Sequence, residues 1–273
     1  MGLRVNNNIA SFNAWRNLQT TDKALNNSLE KLSSGLRINK AADDAAGLVV
    51  SENLRAQVGG LTVAARNAQD GVNIAQIADG ALGTVGNILN RMRDLAVQAA
   101  NGSADDDAKQ AAQDEFEELA KQIDDIGDQT KFSSKEVFST GAFTIHVGAN
   151  SGESIDLSVG ELDSANIGSA GDISTVDLTS DADGAIDTIQ TAIENLSSKR
   201  ATIGAVQNRF EHVISNLNVS IENLTASSSA IRDTDMAAEM TRFTRSQILS
   251  QAGTSMLAQA NSASQNVLAL LRG

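Results

Sequence analysis

Residues 189–224 read IQTAIENLSSKRATIGAVQNRFEHVISNLNVSIENL, and their period decides the fold class. Stepping alternately by four and three, positions 189, 193, 196, 200, 203, 207, 210, 214, 217, 221 and 224 are Ile, Ile, Leu, Arg, Ile, Gln, Phe, Ile, Leu, Ile and Leu. Nine of the eleven sites are apolar, the repeat that keeps one stripe of a helix against another helix along its whole length. Arg200 and Gln207 interrupt the stripe without ending it. The chain has no Pro, so no helix is broken by the residue that breaks helices most reliably.

The same period runs outward in both directions. A second helix is expected from Asp43-Asp44, acidic groups suited to a helix start, to about Ala100. Its seam is Leu54, Val58, Leu61, Ala65, Ala68, Val72, Ala75, Asp79, Leu82, Gly86, Leu89, Arg93 and Ala96. At about 1.5 Å per residue such a helix is roughly 80–85 Å long and belongs in a bundle. Its six glycines, Gly59, Gly60, Gly71, Gly80, Gly83 and Gly86, cost about 1 kcal/mol each relative to Ala and imply close helix approach, with a break at Gly59-Gly60 as the alternative. Asn101-Gly102-Ser103 marks a turn into a shorter antiparallel helix with Phe116, Leu119, Ile123 and Ile126 on one face. From Phe143 the period falls to two, with Ile145 and Val147, then Ile155, Leu157 and Val159 beyond a Gly-containing turn, which predicts a β-hairpin. Residues 160–183, rich in Gly, Ser and Asp, read as irregular surface chain.

Both ends are amphipathic. Leu18, Leu25 and Leu32 recur at heptad spacing between Ile9 and Leu36. Toward the other end Met236, Met240 and Phe243 lead into Leu249, Met256, Ala263 and Leu270, and the chain closes with Val267, Leu268, Leu270 and Leu271 in an apolar tail. Residues 1–45 carry six Lys/Arg against four Asp/Glu, and residues 231–273 carry four against three. The 185 residues between carry eleven against twenty-seven, which accounts for the net charge of −13. Keeping charge off both striped ends suits them to burial together and against other copies of the chain.

Aromatic content is 3%, with one Trp and no Tyr, and the 41% apolar content is mostly aliphatic, which fits long helices in thin layers better than a thick core. Absence of Cys excludes disulfides and thiol chemistry. No apolar run approaches a membrane span, and the acidic balance argues against nucleic acid as a partner. The N-terminus carries no secretory h-region, so departure from the cell is expected to use another route.

Four stretches together resemble a known family. Residues 32–50, LSSGLRINKAADDAAGLVV, 65–82, ARNAQDGVNIAQIADGAL, and 88–98, ILNRMRDLAVQ, resemble the N-terminal half of bacterial flagellins. Residues 231–273, IRDTDMAAEMTRFTRSQILSQAGTSMLAQANSASQNVLALLRG, resemble their C-terminal signature. The resemblance covers about residues 1–140 and 185–273. It implies a mainly α fold, a long antiparallel helical bundle with a small β-hairpin region near 140–183. It further implies that residues 1–45 and 234–273 form a terminal coiled-coil domain lining a filament channel, and that residues 46–233 form a helical rod. The implied role is a secreted, extracellular filament subunit for motility, a homopolymer served by an export chaperone, a filament cap and junction proteins. The variable outer domains usual between the two halves are missing, and Ser264 stands where the family often has Pro. The alternatives are the related hook–filament junction protein and, from another class, a membrane-active translocator.

No catalytic constellation, metal set or cofactor motif is present in the sequence. His146 and His212 lack any HExxH pattern or Cys partner, and Asp105-Asp106-Asp107 lacks the other ligands of a calcium loop and suits a helix start. Arg91 and Leu95 lie four apart on one helical face, with Glu115 on the antiparallel neighbour. The resemblance implies that these three match an epitope read by the Toll-like receptor for flagellin, and that Leu268, Leu270 and Leu271 match a segment read by cytosolic sensors. The assembly contacts expected are Leu18, Leu25, Leu32, Met256 and the tail residues Val267, Leu268, Leu270 and Leu271.

Overall fold

A computed structural model describes residues 8–103, 105–165, 167 and 172–272, leaving aside the side chains of 264–272. Five α-helices dominate: α1 (Ile9–Ser34), α2 (Ala45–Ala100), α3 (Asp106–Gln129), α4 (Ala182–Arg232) and α5 (Met236–Arg272). Two antiparallel strand pairs lie between α3 and α4. β1 (Lys131–Phe132) pairs with β2 (Lys135–Glu136), and β3 (Phe143–His146) pairs with β4 (Ser154–Leu157) in the register Phe143↔Leu157 and Ile145↔Ile155. The chain divides into two compact units, Gln57–Glu222 and Met1–Ala56 with Asn223–Gly273.

In the unit Gln57–Glu222 the heptad reading of α4 holds. Ile189, Leu196, Ile203, Phe210 and Leu217, one per heptad, are all buried. The first four meet Leu82, Leu89 and Met92 of α2 and Phe116 and Ile123 of α3 in a common core, with Leu119 and Ile126 packed at its edge. Two of the charged interruptions in the seams find each other. Arg200 Nε donates to Asp79 Oδ1 at 2.8 Å and Nη2 to Oδ2 at 3.3 Å, so the off-pattern positions of α4 and α2 form one forked pair at the core's rim. Arg93, read as a seam residue, is exposed instead, and Met92 turns inward.

α2 runs unbroken through Gly59-Gly60. Close approach accounts for part of its glycine content. A Cβ on Gly71 would stand 2.8–3.0 Å from the Phe210 ring, whereas Gly59, Gly80 and Gly83 have nothing within 4 Å. Acidic starts behave as read: Asp44 Oδ1 accepts from Gly47 N–H at 2.9 Å and Asp105 Oδ1 from Ala108 N–H at 2.9 Å.

Residues 160–183 depart from the surface reading. Leu162, Ile167, Ile173 and Leu178 are all buried. Side chains from the flanking helices fasten the segment by its polar groups. Gln113 Oε1 accepts from Leu178 N–H at 2.9 Å while its Nε2 donates to Val176 O at 3.2 Å, and Asp124 accepts from Ser164 N–H at 2.6 Å. Asn195 Nδ2 donates to Ile167 O at 3.2 Å, and Lys199 Nζ donates to Glu161 O at 2.7 Å, with burial pushing the Lys199 ammonium below its ordinary pKa. Isolated apolar residues in a polar stretch have no period, so the sequence offers no face to read.

Candidate functional site

α1 and α5 pair antiparallel. α1 starts where Asn8 Oδ1 accepts from Ser11 N–H at 3.0 Å and stops at Gly35, whose φ of 73° places it in the left-handed conformation that ends helices. α5 starts where Asp235 Oδ1 accepts from the N–H groups of Ala237 at 2.9 Å and Ala238 at 3.1 Å. Four side-chain contacts record the register along the pair: Asn8 Nδ2 to Ala260 O at 2.9 Å, Ser11 Oγ to Asn261 Oδ1 at 2.9 Å, Ser250 Oγ to Asp22 Oδ1 at 3.0 Å, and Ser28 Oγ to Glu239 Oε1 at 2.6 Å.

Their linkers are tied at one end of the pair. Leu36 bridges Asp233, Arg37 N–H donates to Arg232 O at 2.7 Å, and Thr234 N–H donates to Gly35 O at 3.0 Å. The Arg37 guanidinium also donates to Ile231 O, one of the last carbonyls of α4, and Arg232 pairs with Glu52 at 2.5 Å. Asp43 accepts the backbone N–H groups of Lys40 and Asn39, which hold its carboxyl below the usual carboxylate pKa.

Leu18, Leu25 and Leu32 are half-buried on the face of α1 that meets α5, and a Cβ on Gly253 would come within 3.1 Å of Leu18 Cδ1. Of the stripe read along α5, Phe243 turns toward α1, whereas Met236, Met240, Leu249 and Met256 are exposed. Glu239, Phe243, Ser246, Ser250, Gly253 and Leu257 form the inward seam, in steps of four and three, whereas Leu249 is 52% and Met256 64% exposed. On α1, Phe12 at 68% and Trp15 at 49% are likewise outward. The exposed apolar residues of α5 thus stand off the seam on several sides, Ile248 opposite it and Leu249 and Met256 on one flank. Val267, Leu268, Leu270 and Leu271 lie in the α5 backbone but outside the described side chains. α5 passes through Ser264 without a break.

In the unit Gln57–Glu222, Arg91 and Glu115 form an ion pair at 2.7 Å on an open face, which raises the Arg91 pKa. Leu95 beside them is 3% exposed and belongs to the core. His146 on β3 and His212 on α4 are both exposed. Among the described residues no group of three His, Cys, Asp or Glu could hold a metal ion, and no helix is long and apolar enough to cross a membrane.

Two family models match the chain, the bacterial flagellin N-terminal helical region over residues 5–142 and the bacterial flagellin C-terminal helical region over residues 186–271. Among full-length relatives, a flagellin of Halalkalibacterium halodurans is 46% identical over 98% of this chain and 99% of its own. A flagellin of Bacillus subtilis is 42% identical over 99% of this chain and 100% of its own. The flagellar filament 31.3 kDa core protein of Treponema maltophilum is 38% identical over 98% and 99%. A pair of long helices built from the two chain ends, in one unit, and an antiparallel helical bundle, in the other, define the class. The chain belongs to the bacterial flagellin family, which is a family of structural proteins.

Proposed function

We propose that this chain is the structural subunit of a bacterial flagellar filament, polymerising with other flagellin copies for motility. The observation that carries the reading is the outward apolar face of the terminal helices, where Phe12, Trp15, Ile248, Leu249 and Met256 are each about half exposed or more. Large apolar side chains exposed in this number on one unit mark an interaction surface. Residues 1–45 and 234–273 then form the terminal coiled-coil domain on the channel side, and residues 46–233 the surrounding rod. The chain acts without enzymatic activity, and the filament is secreted and extracellular. Its handling partners are an export chaperone, the filament cap and junction proteins.

Arg91 and Glu115 remain the part of the Toll-like receptor epitope that a partner could touch, with Leu95 supporting them from beneath. Seeding purified chain with sheared filament fragments and viewing the product by electron microscopy tests the main reading. Helical filaments growing from the seeds are expected. A chain that stays monomeric at every concentration overturns it.

A further inference from the structure

Asn101 is the one Asn in this chain that is followed by Gly. Asn101-Gly102-Ser103 forms an exposed turn directly after Ala100, the last residue of α2. Asn101 Oδ1 accepts from Ser103 N–H at 3.3 Å, which folds the carboxamide back along its own backbone beside the Gly102 nitrogen and draws electron density away from Asn101 Cγ. Among the described residues the Gly102 N–H has no hydrogen-bond partner, and a Cβ on Gly102 would meet nothing within 4 Å, so that nitrogen is open.

We propose that Asn101 is a self-modifying site, where the Gly102 nitrogen converts the carboxamide to a carboxylate. Gly102 N–H gives its proton to hydroxide, the nitrogen attacks Asn101 Cγ, and a cyclic imide closes. The bond from Cγ to Nδ2 breaks, and Nδ2 takes up a proton and leaves as ammonia. Water then opens the imide at either carbonyl, leaving aspartate where the original peptide bond is kept and isoaspartate where the chain continues through the side chain. One water is consumed and one ammonia released, with no change of oxidation state.

The same ring closure is chemically open to three Asp-Gly pairs, Asp70-Gly71, Asp79-Gly80 and Asp183-Gly184, but helices hold all three. Gly71 and Gly80 lie inside α2, where each N–H is bonded to a carbonyl one turn back, and Gly184 N–H donates to Asp181 Oδ1 at 2.9 Å. Asn150, exposed in the β3–β4 turn, precedes Ser151, and its Nδ2 donates to Glu153 Oε1 at 3.2 Å. At Asn101 the new carboxylate stands at the C-terminal end of α2, where the helix dipole disfavours it, and close in sequence to Asp105, Asp106 and Asp107 at the start of α3. The turn between α2 and α3 is therefore loosened by its own chemistry, in one direction and with time.

Incubating the full chain in mildly alkaline buffer, with peptide mapping that separates aspartyl from isoaspartyl products, tests the site. Asn101 should convert about tenfold or more faster than Asn150, giving both products, at a rate that rises with pH because the attacking nitrogen must first lose its proton. Gly102→Ala, at a backbone outside the left-handed region and with room for the methyl group, should keep the circular dichroism spectrum and slow conversion by about tenfold or more. Amide exchange at residues 98–103 should be faster in the converted chain than in fresh chain, with helix interiors within 182–222 as reference. Conversion at Asn101 no faster than at Asn150, or a rate indifferent to Gly102→Ala, overturns the site. Unchanged exchange after full conversion overturns the loosening of the turn. Should Gly102→Ala alter the spectrum, the ratio of Asn101 to Asn150 conversion in the parent chain decides.

Discussion

The two compact units of this chain distribute their side chains in opposite ways. In the unit Gln57–Glu222 the fully buried residues are apolar with few exceptions, among them Phe116, Phe210, Leu82 and Ile123. In the unit of the chain ends, Ile38 is the sole fully buried hydrophobic residue among the described side chains, and the others buried there are Ser28, Ser51, Glu239 and Ser246. Exposed large apolar residues show the converse, since all but Val63, Ile77, Val97 and Val219 belong to the unit of the ends. A unit that hides polar groups and shows apolar ones is half of an interface. The other unit satisfies its own hydrophobic stripe.

The contrast can be broken hardest at the outer face. Leu249→Asp with Met256→Asp should abolish seeded growth, followed by light scattering, and leave the unfolding free energy of the free chain, read from its denaturant midpoint, unchanged within about 0.5 kcal/mol, because exposed substitutions cost little. A shifted midpoint would mean that these residues already support the free fold. Next in size, Phe210→Ala should destabilise the unit Gln57–Glu222 by about 3–5 kcal/mol in urea unfolding, as removal of a fully buried aromatic does. A loss below about 1 kcal/mol would deny that this unit has a tight core of its own.

Glycine substitutions sharpen the comparison by sign. Gly71→Ala drives a methyl group into the Phe210 ring and should destabilise by about 1–3 kcal/mol, net of its better helix propensity. Gly83→Ala meets nothing within 4 Å in the single chain and should stabilise by about 0.5–1 kcal/mol in the same unfolding assay. Smallest is the Asp79–Arg200 pair. Its side chains are 42% and 47% exposed, so a double-mutant cycle to Ala should give a coupling below about 1 kcal/mol that shrinks with added salt.

Much of the fold is legible from period alone where one helix face has one destination. The buried residues of α4, the inner face of α3 and the β3–β4 alternation follow from spacing because a single core takes them. α5 misleads for the complementary reason. Its apolar residues are spread around the helix, Phe243 and Leu257 toward α1 and Met240, Ile248, Leu249 and Met256 exposed, so the Met256 stripe was legible as apolar but not as outward. Gly253 and Leu257 on the true seam were visible only as small or ordinary residues at four-three spacing. The segment 160–183 shows a third limit, since its order comes from Gln113, Asp124 and Asn195 reaching across from helices. The two-residue strands β1 and β2 are too short for any alternation to register. Arg91 and Glu115 were legible as a pair, and the burial of Leu95 was not, because a residue four along the same helix can lie on either flank of a broad buried face.

The knot joining Leu36, Arg37, Asp233 and Thr234 gives the terminal helix pair a closed end and an open one. Separation of α1 from α5 therefore has a direction. It begins at Asn8 and Ala260 and travels toward Ser28 and Glu239, like a clasp opening from its tips. Contacts beside the knot re-form quickly, because the chain between them is short and their mutual effective concentration is high. Zipping shut must run the other way, so the first polar contact a closing pair meets is the carboxylate of Glu239, and the hydrogen bonds of Ser11 and Asn8 come last.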